Sequence, residues 1–177
     1  MQKNNLKTAF ILNVVLALLE VFAVSWMMSG IQIAGTTSAL TAARLATLKF
    51  FTVDSNIIAG VFAIIVAVDL WMVMKGRKSE ASNLSYVLTL VGAVGVTLTM
   101  LVTVFFLAPT FENGWYTCFN NSNFFLHLVN PLVSIVLFVV FMRGGKISFK
   151  HTFTGIVPLL IYAAYYVANV FTHLDGG

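Results

Sequence analysis

Charge is what this sequence has least of. Ten Lys and Arg and six Asp and Glu make up 9% of the 177 residues, where a soluble domain carries about 25%. So few ionic side chains cannot cover a water-facing surface, which excludes a soluble enzyme, a soluble nucleic-acid binder and a disordered tail. Cysteine is almost missing too, and Cys118 has no partner for an intramolecular disulfide. Imidazoles number three, with His151 expected on the opposite side of the membrane from His127 and His173, so no closed ligand set forms and no metal is expected. Phosphate loops, Gly-x-Ser-x-Gly elbows and His-Glu-x-x-His signatures do not occur, and no cofactor is expected.

Apolar surface is plentiful: 59% of residues are hydrophobic and the mean hydropathy is +0.94. Crossing the hydrocarbon takes about 20 mostly apolar residues. Five stretches qualify, at about 8–29, 50–74, 84–108, 123–142 and 152–172. Each must be helical, since unpaired backbone is not tolerated in lipid. The first is too long for a cleaved signal sequence. The fold class expected is all-α, a polytopic membrane helix bundle forming one domain over residues 1–177. A short interfacial helix is expected within residues 36–49, with Thr37 or Ser38 as its cap and Leu40, Leu45 and Leu48 along its apolar side. Ser82 or Asn83 is placed to cap the third span and Ser122 or Asn123 the fourth.

The net charge of +4 is topological rather than a nucleic-acid footprint. Lys3, Lys7, Lys75, Arg77, Lys78, Arg143, Lys146 and Lys150 fall on one side of a five-span layout, and Arg44 and Lys49 on the other. By the positive-inside rule the N-terminus is cytoplasmic and the C-terminus outside. Trp115 and Tyr116 then sit at the outer interface.

Ionisable groups inside spans are costly and mark sites by default. Glu20, Asp54, Asp69 and His127 are the candidates. At about 1.5 Å rise per residue, Thr52, Asp54 and His127 lie within about 6 Å of the outer ends of their spans, and Glu20 falls in the outer half as well. Asn56, Asn130 and the Tyr162, Tyr165, Tyr166, Asn169 group add polarity at similar levels, and Asp69 alone lies near the inner end. One half of the bundle is expected to be polar and the other apolar. Asn123, His127 and Asn130 form a stripe at i, i+4, i+7. Pro131 removes an amide donor and frees the carbonyl of His127. Ordinary structural readings exist for each: threonine bonds back to its own helix, histidine and asparagine join helices, and Glu20 pairs with Arg44 or a tyrosine.

Two segments carry more. Lys49-Phe50-Phe51-Thr52-Val53-Asp54-Ser55-Asn56 opens the second span, and His127-Leu128-Val129-Asn130-Pro131-Leu132 lies in the fourth. With the five-span layout they resemble the androgen-induced protein family of membrane threonine hydrolases and its small bacterial relatives. The resemblance implies hydrolysis of lipid esters, including esters of hydroxy fatty acids, with Thr52 as nucleophile and His127 as general base, in a bacterial plasma membrane. The chemistry is coherent: an adjacent base activates a threonine hydroxyl, and a neutral imidazole takes and returns its proton. Asn56, Asn123 or Asn130 would donate to the developing oxyanion, and Asp54 or Glu20 would orient His127. The partners expected are a lipid or fatty-acyl ester substrate and membrane lipids, with no nucleic acid and a second copy of the chain left open. Two other readings remain. One is a small transporter or lipid-binding protein without catalysis. The other is a scaffold packing through Gly92 and Gly95.

Overall fold

The computed structural model describes residues 3–142 and 147–172. Arg143, Lys146 and His173, which entered the charge and histidine arguments, lie outside the described residues. Within them five helices are long and apolar enough to cross a membrane, and there is no strand. The chain is an all-α bundle and an integral membrane protein. The helices are α1 (Lys3–Ser29), α2 (Phe51–Met74), α3 (Asn83–Thr110), α4 (Ser122–Met142) and α5 (Phe149–Thr172). Their bounds lie within a few residues of the apolar runs, except that α1 starts earlier.

The first four helices bury stripes, whereas α5 buries only Gly155 and Asn169. In α1 the stripe is Ala9, Asn13, Leu16, Glu20, Ala23 and Met27, an alternating three- and four-residue spacing. In α3 it is Ser85, Thr89, Val96, Thr99 and Thr103, and in α4 Asn123, His127, Asn130, Ser134 and Leu137. Close approach of α2 and α3 depends on missing side chains. A Cβ on Gly92 would meet the Ala59 Cα at 3.3 Å, and one on Gly95 the Ser55 Cβ at 3.4 Å. These glycines therefore pack within the chain. Gly60 similarly admits Glu20, whose Cβ would lie 2.9 Å from an added methyl. Away from the site, α2 and α3 are tied by Asp69, which accepts from Lys78 Nζ, the Ser82 amide (2.8 Å) and Ser85 Oγ (2.6 Å). Ser82 caps α3 as expected, accepting from the Ser85 amide at 3.3 Å.

Three expectations need correction. The short helix expected between α1 and α2 is present as a 3₁₀ helix, Arg44–Lys49, but it starts later and its N-cap is Ala43, without a side-chain cap, rather than Thr37 or Ser38. Residues 36–43 are not helical because their polar groups are taken from across the bundle. Asn121 Nδ2 donates to Thr36 Oγ1 (2.9 Å) and Ser38 Oγ (2.7 Å), and Asn120 Nδ2 donates to the Thr37 carbonyl (3.0 Å). For the same reason α4 starts differently. Its N-cap is Asn121, at φ +55°, whose side chain is spent on the loop instead of capping; neither Ser122 nor Asn123 caps. Polarity is also not confined to one half: Asn13, Ser85, Thr89, Asp69 and Ser134 are buried toward the other end. Asn13, Ser85, Thr89 and Ser134 are short polar side chains standing singly in apolar runs, which mark no polar level by themselves. An apolar cluster including Leu16, Val66, Leu70, Tyr86, Leu137 and Met142 nonetheless fills that half.

Candidate functional site

The site is built where α2 and α4 begin and α3 ends. Pro131 has no amide for the His127 carbonyl, and the preceding turn, Phe125–Val129, widens to a π-helix carrying His127. Another π-turn, Thr103–Leu107, carries Thr103 on α3. π-turns are rare and concentrate at functional sites. Thr103 Oγ1 and His127 Nδ1 lie 2.7 Å apart, and both residues are 1% exposed.

Glu20, Asn56 and Asn130 form a second buried set. Asn130 Nδ2 donates to Glu20 Oε2 (2.6 Å) and to Asn56 Oδ1 (3.0 Å). Asn56 Nδ2 donates to the carbonyls of Thr52 (2.7 Å) and Leu126 (3.3 Å). Asn56 thereby ties the Thr52 turn of α2 to the residue preceding His127. Thr52 shares a helical face with Ser55, Asn56 and Ala59, at i+3, i+4 and i+7. Those three residues are buried against α3 and α4. Thr52 itself is partly exposed at the mouth of that face.

Buried polar atoms normally find partners, and here several do not. His127 Nε2, both amide atoms of Asn123, Glu20 Oε1 and Asn130 Oδ1 are enclosed without one. Asn123 lies one turn before His127 on the buried stripe of α4, so two side chains with unpaired polar atoms follow one another there. Deeper in the bundle, Asn13 Oδ1 and Ser134 Oγ are also unpaired, beside a cavity of about 10 Å³ that they line with Thr89. That is close to the space of a single water.

The expected residues therefore distribute unevenly. Glu20, Asn56 and Asn130 meet in one network, and Asn123 and His127 are buried one turn apart on α4. The hydroxyl hydrogen-bonded to His127 belongs to Thr103, which the sequence reading passed over, and Thr52 approaches only through its backbone and its shared face. Glu20 binds Asn130 rather than Arg44 or a tyrosine. Asp54 turns away into an apolar groove of about 960 Å³ between α2, α3 and α5, lined with Phe51, Ile57, Phe62, Ile161 and Tyr162. Neither carboxylate orients His127. Tyr162 closes one end of this groove, donating to the Lys49 carbonyl at 2.7 Å. Among the described residues no group of three His, Cys, Asp or Glu could hold a metal.

Comparison with known proteins finds no matching family model, curated protein or solved structure.

Proposed function

We propose that this chain is an intramembrane ester hydrolase for lipid esters, with Thr52 as the acylated nucleophile and His127 as the base. The observation that carries the reading is His127 itself. It is a fully buried imidazole with one nitrogen on a hydroxyl and the other unpaired, one helical turn after Asn123, whose amide is also unpaired. The resemblance of the Thr52 and His127 segments to membrane threonine hydrolases adds to it.

The reaction divides into two balanced halves. Thr52 Oγ attacks the ester carbonyl carbon while its proton passes to His127 Nε2, and the carbonyl electron pair becomes an oxyanion. Asn123 Nδ2 is the donor for that charge, because the amide donors of Asn56 and Asn130 are already engaged. The tetrahedral centre collapses, the C–O bond to the alcohol breaks, and the leaving alkoxide takes the Nε2 proton. Water then attacks the acyl-threonine, giving its proton to Nε2, which returns it to Thr52 Oγ as the acid departs. The apolar groove that begins at Phe51, next to Thr52, suits the acyl chain. The site belongs in the outer leaflet of a bacterial plasma membrane, with the N-terminus cytoplasmic.

The buried polar groups of the other half favour a second reading, a carrier of small polar solutes or protons. The apolar cluster around Leu70 and Leu137 interrupts such a path, so hydrolysis is preferred. Labelling purified protein with a fluorophosphonate probe separates the two. Hydrolysis predicts an adduct in the wild type that is lost in folded Thr52→Ala and His127→Ala variants. Equal or absent labelling in all three contradicts it.

A further inference from the structure

Thr103 is unaccounted for in that scheme, although it makes the one side-chain hydrogen bond to the proposed base. Its contact joins two helices, both partners are buried, and each sits in a π-turn. A threonine within a helix ordinarily donates to a carbonyl three or four residues back. Thr103 Oγ1 instead pairs with the ring on the neighbouring helix.

The role proposed for His127 fixes the direction of this hydrogen bond. A neutral imidazole has one N–H and one lone pair. Nδ1 is held by Thr103, so a base that works through Nε2 carries its proton on Nδ1, donating to Thr103 Oγ1, and keeps the lone pair on Nε2.

We infer that Thr103 is a positioning residue: it holds His127 in the Nδ1–H tautomer, with the unpaired Nε2 as the proton acceptor. This rests on the hydrolase reading for its catalytic meaning, but the tautomer is a property of the resting protein. The assignment fills with a neutral hydroxyl the place that a carboxylate holds in a serine triad. A carboxylate there would carry a full charge into a fully buried position, whereas a hydroxyl asks for one hydrogen bond. Thr103 touches neither substrate nor the reacting atoms; its effect passes through the ring.

The test compares wild type with Thr103→Val, which keeps the shape and removes the hydroxyl, and Thr103→Ser, which restores it. Histidine labelled with 15N in the imidazole is incorporated into the full chain, and His127→Asn assigns the His127 signals among the three histidines. In the wild type at neutral pH, Nδ1 is expected to be the protonated nitrogen. Thr103→Val should give a mixture of tautomers, and Thr103→Ser should return the wild-type pattern. On a p-nitrophenyl acyl ester, Thr103→Val should lower kcat about tenfold, the worth of one buried hydrogen bond, leave KM unchanged, and be rescued by Thr103→Ser. A proton on Nε2 in the wild type, or a Thr103→Val spectrum equal to the wild type, overturns the assignment. So does an unchanged kcat accompanying an altered spectrum, or a probe adduct mapped to Thr103 itself. If the wild type neither hydrolyses the ester nor takes the probe, the hydrolase reading fails, and the spectra still decide the tautomer.

Discussion

Asn123 is fully enclosed with neither amide atom paired, and leaving such a group unsatisfied costs about 1–3 kcal/mol. In the proposed mechanism that cost keeps a donor ready for the oxyanion. Asn123→Leu should therefore leave thermal stability in detergent unchanged or raise it by about 1 kcal/mol. Fluorophosphonate labelling should fall about a hundredfold, as for loss of an oxyanion donor. A variant that unfolds while an Asn123→Gln control labels normally would show that the amide is structural. Cys118 is the opposite case. It is buried outside the spans, and burial raises its thiol above the ordinary range. Maleimide modification at pH 8 should be far slower than for an exposed thiol, since both access and the thiolate fraction are reduced. Unfolding in detergent should restore the ordinary rate.

The helices were legible because length and hydropathy leave few alternatives in lipid, and Ser82 was legible as a cap because it stands at a composition break. The connection at 36–43 was not. Its Thr36 and Ser38 hydroxyls accept from Asn121 and its Thr37 carbonyl from Asn120, 83–85 positions away, a pairing that no local window contains. Thr103 was missed for a similar reason, since one threonine in an apolar run reads as a self-bonded side chain. The signal was the whole stripe of Ser85, Thr89, Gly92, Val96, Thr99 and Thr103, small or polar at helical spacing on one side of α3. Glycines at close crossings bear on stability directly. Gly60→Val would push a methyl to 2.9 Å from the Glu20 Cβ, a backbone-anchored atom with little freedom to move. The expected loss is about 1–3 kcal/mol, read as a lower unfolding midpoint, while Val61→Ile on the exposed neighbour should cost almost nothing.

Across the whole molecule, the bundle sets a hydrogen-bonded polar centre at the end where α2 and α4 begin, over a mostly apolar half anchored by Asp69 and Lys78. From the charge bias we propose that this centre faces outward. With Cys118 replaced by Ala, single cysteines at Lys75→Cys and Glu112→Cys should report opposite sides to an impermeant maleimide on intact cells. Glu112→Cys should react, and Lys75→Cys should react only after lysis. The reverse pattern would move the site to the cytoplasmic leaflet.

The most direct measurement is trapping of the acyl intermediate. Purified protein is mixed with a long-chain ester of a hydroxy fatty acid, quenched in acid within one turnover and mapped by peptide mass spectrometry. The acyl mass should be found on the peptide containing Thr52, disappear in Thr52→Ala, and fail to form in His127→Ala. Fatty acid released with no acyl mass on Thr52, or no release at all from folded protein, would contradict an acyl-threonine hydrolase.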